Sequence, residues 1–302
     1  MLIQSTGLAM WKRRQITAPI YQRPAPPLRY HTRVLTQVLR ATPRPLIVVS
    51  FLFFAAAYFA TRFPDVPGAG VGSYVSTFLI ALPAFIALFG YLGPRRAALS
   101  LLALAAFGYV VETIGVVTGF PYGHFHYGDA LGGRILGLVP YLLPVSYAPL
   151  VIGAVAASWR SELQNRALWI LHSALLLTLI DGVLDPGAAS LGFWVWPEGG
   201  VYYGVPLSNY AGWLLSGALA AALLLAAGRW RAAPPPGLLD SAAVALAFWI
   251  GVSLFSGLAF PALLGSALFA YLLHRRAHLR THHTGKRPAP GGYKLGRAGR
   301  CV

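Results

Sequence analysis

The chain has 302 residues, of which 57% are hydrophobic and 11% charged, against roughly 25% charged in an average soluble domain. That composition excludes an ordinary water-soluble domain and indicates a multi-pass membrane protein, while the lone cysteine, Cys301, excludes a disulfide framework and a cysteine metal site. The net charge of +16 does not indicate nucleic acid, because every Lys and Arg except Arg62 and Arg134 falls on one side of the predicted membrane topology, the positive-inside pattern.

That topology rests on apolar runs close to the ~20 residues that cross a bilayer. Eight helices are predicted, over 45–61, 73–92, 96–118, 136–158, 166–184, 205–227, 239–256 and 259–274. The fold class is all-α, a polytopic transmembrane helix bundle with both termini cytoplasmic. Residues 1–43 form a basic, Pro-rich tail without the short apolar core of a signal peptide. Residues 44–275 form the transmembrane domain, and 276–302 a second basic tail that is expected to be disordered. Anionic lipid headgroups are the expected partners of both tails.

In chain order, the first residue to carry chemistry is Glu112, in "FGYVVETIGVVTG" near the outer end of the third helix. The loop "TGFPYGHFHYGDALGGR" follows, rich in Gly, Pro and aromatic residues. Its His124 and His126 are two apart and either approach the buried carboxyls or face the outer water. Asp181 and Asp185 close the fifth helix just before Pro186, about 40° apart on one face. His172 lies on the opposite side of that helix, where packing is expected. The next loop, "DPGAASLGFWVWPEGGVYYGVP", again carries aromatics rather than charge. Both loops are expected to fold over the helix ends at interfacial depth, where Trp and Tyr are at ease. The sixth helix opens "VPLSNYAGWLLSG", placing Asn209, Gly212, Trp213 and Ser216 in a partly polar stripe. Asn209 there suits either a water and carboxylate or a plain interhelical hydrogen bond. Asp240 reads as the N-cap of the seventh helix. Asp65, Asp129, Glu162 and Glu198 read as solvated loop residues, and His274, His278, His282 and His283 as solvated charge in the tail.

An ionised carboxylate costs about 2.5–3.5 kcal/mol at the centre of a membrane helix even on the lenient insertion scale. With the topology above, Glu112, Asp181 and Asp185 all fall in the outer half of the bilayer. Carboxyls that converge in a low dielectric do not all ionise, and a neutral acid beside a carboxylate is a general acid–base pair.

The order Glu112, "TGFPYGHFHYG", "DGVLDPGAASLGFWVW" and "GVYYGVPLSNYAGW" resembles the membrane carotenoid-biosynthesis family that includes CruF-type carotenoid 1,2-hydratases and bisanhydrobacterioruberin hydratase. The matching positions are Asp181, Asp185, Pro186, Trp194, Trp196, Tyr203, Gly204, Pro206, Asn209, Gly212 and Trp213, with Thr118, Gly119, Pro121, Gly123 and Tyr127 before them. The likeness covers roughly 45–275. His124 and His126 depart from the family pattern, which bears on substrate choice.

The resemblance implies a hydro-lyase that works without cofactor or metal, adding water to the terminal 1,2 double bond of an acyclic carotenoid end group to give a tertiary alcohol. The carotenoid would come from the lipid phase, and other carotenoid-pathway enzymes would be neighbours. Such chemistry needs a proton donor, electron-rich walls for a tertiary cation, and one ordered water with a base. Glu112 or Asp181 is the expected donor, and Asp185 and Asn209 the water-positioning groups. Trp194, Trp196, Tyr203 and Trp213 would line the pocket, with His124, His126 and Tyr127 as further substrate contacts. A membrane prenyltransferase, a carotenoid cyclase and a proton-coupled transporter are the rival readings.

Overall fold

The computed structural model describes residue 38 and residues 41–160, 165–230 and 232–284. Most of the N-terminal tail, Glu162, the side chain of His283 and the C-terminal tail with Cys301 lie outside the described residues. Among the described residues there are eight main helices: α1 (Arg44–Arg62), α2 (Ala69–Leu92), α3 (Pro94–Thr118), α4 (Leu143–Ser158), α5 (Arg166–Ser190), α6 (Leu207–Gly228), α7 (Asp240–Phe255) and α8 (Ala259–Thr284). Among the described residues, six segments are long and apolar enough to cross a membrane: α1, α2, α3, α5, α6 and Pro236–Phe255, which includes α7. The protein is a polytopic helical bundle.

Its centre is α4, a helix of 16 residues in which every residue from Tyr147 to Ser158 is buried. It packs against α2, α3, α5 and α7, and Gly153 lets it approach α7 closely: a Cβ there would lie 2.6 Å from Ala242 Cβ. Ringed by protein, α4 can end below the length of a membrane span. The carbonyls left free at its C-terminus accept from guanidinium groups, Ala157 from Arg160 at 2.9 Å and from Arg275 at 2.8 Å.

Proline shapes α2 and α5. Pro83 interrupts the backbone ladder of α2, and beside the break the Ser241 hydroxyl of α7 accepts from Ala84 N–H at 2.9 Å and donates to Ala81 O at 3.2 Å. In α5 the helix does not stop before Pro186 but runs on to Ser190. Pro186 cannot donate to the Gly182 carbonyl four residues back, and the Tyr202 hydroxyl donates to it instead, at 2.9 Å. That side chain allows a proline, normally a helix terminator, to sit inside the helix.

Helix ends elsewhere shift by up to four residues, as at Ala69 where 73 was expected, and three further differences have a local cause. The fourth helix starts at Leu143 rather than 136, because Arg134–Ile135 (β2) pairs antiparallel with Val139–Pro140 (β3); the turn between them has φ 51° at Leu136 and 73° at Gly137, incompatible with a right-handed helix. The last helix continues beyond 274 to Thr284, with Arg275 and Arg276 turned inward and buried. Asp240 is the first residue of α7 and does not cap it; its carboxylate takes a forked ion pair from Arg276, at 2.6 and 3.2 Å.

The two long loops do lie over the helix ends. His126–Tyr127 (β1) pairs antiparallel with Trp194–Val195 (β4), locking one loop to the other. Tyr122, Phe125, Tyr127, Val139, Trp196 and Val205 form a second, aromatic core there, separate from the core of the bundle.

Candidate active site

The C-terminal ends of α3 and α5 and the start of α6 meet beneath this aromatic core. Glu112 of α3, Asp181 and Asp185 of α5 and Asn209 of α6 are all buried, with at most 8% of each residue exposed. Asp181 and Asp185 share a face because α5 stays helical between them. Asn209 faces both aspartates: its amide donates to Asp181 Oδ2 at 3.2 Å and, in a short contact, to Asp185 Oδ2. The two carboxyls lie close enough to interact electrostatically. The other oxygen of Asp185 accepts from the Trp194 indole at 3.0 Å. Both oxygens of Asp185 are therefore held by N–H donors, whereas Asp181 Oδ1 is buried without a hydrogen-bond partner.

Glu112 joins through the loop. The Tyr127 hydroxyl donates to Glu112 Oε2 at 2.7 Å, and the Tyr127 ring stands edge-on to Trp194 with centroids 6.2 Å apart. Burial, and then the neighbouring Glu112 carboxyl, holds the Tyr127 hydroxyl well above the ordinary tyrosine range, so it remains an O–H donor. Glu112 lies close enough to interact electrostatically with both aspartates.

Of the aromatic residues expected in the lining, Trp194, Trp196 and Trp213 belong to this cluster. Trp196 is buried, donates to Tyr122 O at 3.3 Å and packs on Phe125. Trp213 lies between Tyr122 and Tyr147, with ring centroids 6.2 and 6.0 Å away. Tyr203 faces outward and is 43% exposed; its neighbour Tyr202 turns inward against Tyr210. His124 and His126 are exposed while Phe125 and Tyr127 are buried, the alternation of an extended strand. The histidines thus point away from the carboxyls. His172 does face away from Asp181, but it is exposed rather than packed.

Three tyrosines not foreseen from the sequence complete the enclosure. Tyr122 and Tyr147 are buried, and the hydroxyls of Tyr147 and Tyr210 are buried without a hydrogen-bond partner. The alternation carries Phe125 and Tyr127 to the inner side of the loop, but Tyr122, three residues before Phe125, is out of that period and lies in the preceding turn. Nothing local marks Tyr147 on α4. Close packing places Tyr122: a Cβ on Gly115 of α3 would come within 2.8 Å of its ring, and one on Gly212 of α6 within 2.6 Å. Among the described residues no three His, Cys, Asp or Glu side chains form a metal-ligand set. Buried acids, amide, indole and phenol groups arranged in this way can hold a proton, a water molecule and a cation next to one another.

Residues 70–272 match the model of a family described as carotenoid biosynthesis protein. A bisanhydrobacterioruberin hydratase from Haloarcula japonica is 41% identical over 187 residues, which are 59% of this chain and 63% of that relative's length. No solved structure matches the chain.

Proposed function

The chain belongs to the carotenoid biosynthesis protein family, and from that premise we propose that it is a carotenoid hydratase, adding water to the terminal 1,2 double bond of an acyclic end group. The observation that carries this reading is the buried Glu112–Tyr127 and Asp181–Asn209–Asp185 cluster under an aromatic roof. The name of the Haloarcula relative supports the same reaction class.

The alkene π pair takes a proton at C2, leaving a tertiary cation at C1. Water then adds through oxygen to C1 and gives up one proton, so the net change is the gain of one H2O. Asp181 is the better placed donor, because its Oδ1 is free to carry the proton toward substrate. Asp185, fixed by two N–H donors, suits the anionic partner that accepts a proton from water. Asn209 ties the two together, and Glu112 with Tyr127 sets the far wall. The faces of Trp194, Trp196 and Trp213 offer the electron-rich surface that a tertiary cation requires. Tyr203 and the two histidines, which face outward, are left with no part in the chemical step.

The positive-inside pattern supports termini in the cytoplasm and a site in the outer half of the bilayer. The basic tails then suit anionic lipid headgroups.

The test is expression in a bacterium that accumulates lycopene or γ-carotene, followed by pigment mass analysis. A product heavier by one water is expected from the wild type and is lost in Asp181→Asn and Glu112→Gln chains that insert normally. An isomer of unchanged mass would indicate a cyclase, and near-wild-type hydration by both variants would overturn the site assignment.

A further inference from the structure

The carboxyls are enclosed on every described side, so an apolar substrate must have a route to them from lipid. An apolar groove of about 200 Å³ lies between α3 and α6. Val110 and Ile114 form one wall and Leu215 and Leu219 the other, each pair four residues apart on its helix, with Phe120 at the loop end. These side chains face out of the bundle, Val110 being 59% and Leu219 51% exposed. The inner end is different. Ser216 is 1% exposed, and its hydroxyl lies beside that of Tyr122 without the geometry of a hydrogen bond. Ser216 is two turns along α6 from Asn209 on the same face, and the Tyr122 hydroxyl interacts electrostatically with Glu112 and Asp181. The groove therefore runs from the lipid-facing surface as far as Ser216, the one buried hydroxyl in its lining, which stands beside Tyr122 at the edge of the candidate site.

We propose that this groove is the lateral binding site for the polyene chain next to the reacting end group, with Ser216 and Tyr122 at the threshold of the carboxyl pocket. The identity of the occupant rests on the hydratase reading; the route rests on the geometry. A cavity that encloses a drug-sized ligand measures ~300–1,000 Å³, so a 200 Å³ groove takes only the first part of a long rod. The remainder of the chain stays in lipid, and only the end group passes Ser216. A lipid acyl chain is the competing occupant.

The test uses the full chain in phosphatidylcholine nanodiscs with lycopene, an achiral acyclic polyene that gains a visible circular dichroism band only when a chiral site holds it. Ile114→Trp and Leu219→Trp fill the groove from outward-facing positions. Leu82→Trp on α2, equally outward with 51% exposure, is the control. The wild type and the control are expected to give the band, and the two groove variants to bind about tenfold more weakly or not at all. The proposal is overturned if the groove variants bind like the control, or if the wild type gives no band, which would leave the groove to acyl chains. Hydration is read in parallel. A wild type that binds through the groove but adds no water would sink the hydratase reading alone, and one that hydrates without using the groove would sink the groove alone.

Discussion

Asp185 and Glu112 are each held by a neutral donor from the loops, and each donor can be removed while an aromatic ring stays in its place. Tyr127→Phe deletes the hydroxyl that donates to Glu112 and keeps the ring against Trp194. A hydrogen bond to a charged group contributes about 1.5–3 kcal/mol, so turnover is expected to fall roughly tenfold to a hundredfold with the fold intact. Trp194→Phe deletes the indole N–H that donates to Asp185 and should lower turnover to a similar degree. His124→Ala, His126→Ala and Tyr203→Phe are the contrast: all three side chains face outward, and hydration rates within about twofold of wild type are expected, measured by pigment mass analysis at equal protein level.

At the scale of elements, two close approaches bring the site residues together. The Tyr122 ring fits between α3 and α6 only because positions 115 and 212 lack a Cβ. Gly212→Ala would set a methyl group 2.6 Å from that ring and 2.8 Å from the Pro121 carbonyl. It should cost about 1–3 kcal/mol, read as a lower melting temperature in detergent together with lost hydration. Gly70→Ala on α2, where no neighbouring atom lies within 4 Å, should leave both unchanged. The second approach is that of Tyr202 to the Gly182 carbonyl, which Pro186 leaves without its helical donor. Tyr202→Phe strands that carbonyl at a cost of about 1–3 kcal/mol. The strain falls on the turn of α5 that carries Asp181 and Asp185, so hydration should drop with it.

Across the whole molecule, the end of the bundle opposite the carboxyls is closed by arginines. Arg276 forks onto Asp240 and also donates to Ala41 O, joining α7, α8 and the segment before α1. Arg276→Ala leaves a largely buried carboxylate without its cation, an expected loss of about 2–3 kcal/mol given that Asp240 keeps some contact with solvent. Thermal unfolding in detergent would show it. The paired change Arg276→Met with Asp240→Leu should recover most of that stability, because two apolar side chains carry no desolvation cost.

The helical bundle, the number of main helices among the described residues and the interest of Glu112, Asp181, Asp185 and Asn209 as buried polar groups were legible in the sequence, because a bilayer forces long apolar runs and makes a retained intramembrane carboxyl conspicuous. Local spacing also put the two aspartates on one face. Tertiary structure alone decided which donor each carboxyl receives, since Trp194 and Tyr127 arrive from loops whose course depends on the pairing of β1 with β4. It decided that α5 continues through Pro186, because the compensating hydroxyl comes from Tyr202, far along the chain. It also separated Tyr127 from the histidines beside it and Tyr202 from Tyr203. Composition treats such neighbours alike, but the alternation of an extended backbone sends Tyr127 inward and His126 outward, and the left-handed φ of 52° at Tyr203 turns it away from the side that Tyr202 takes.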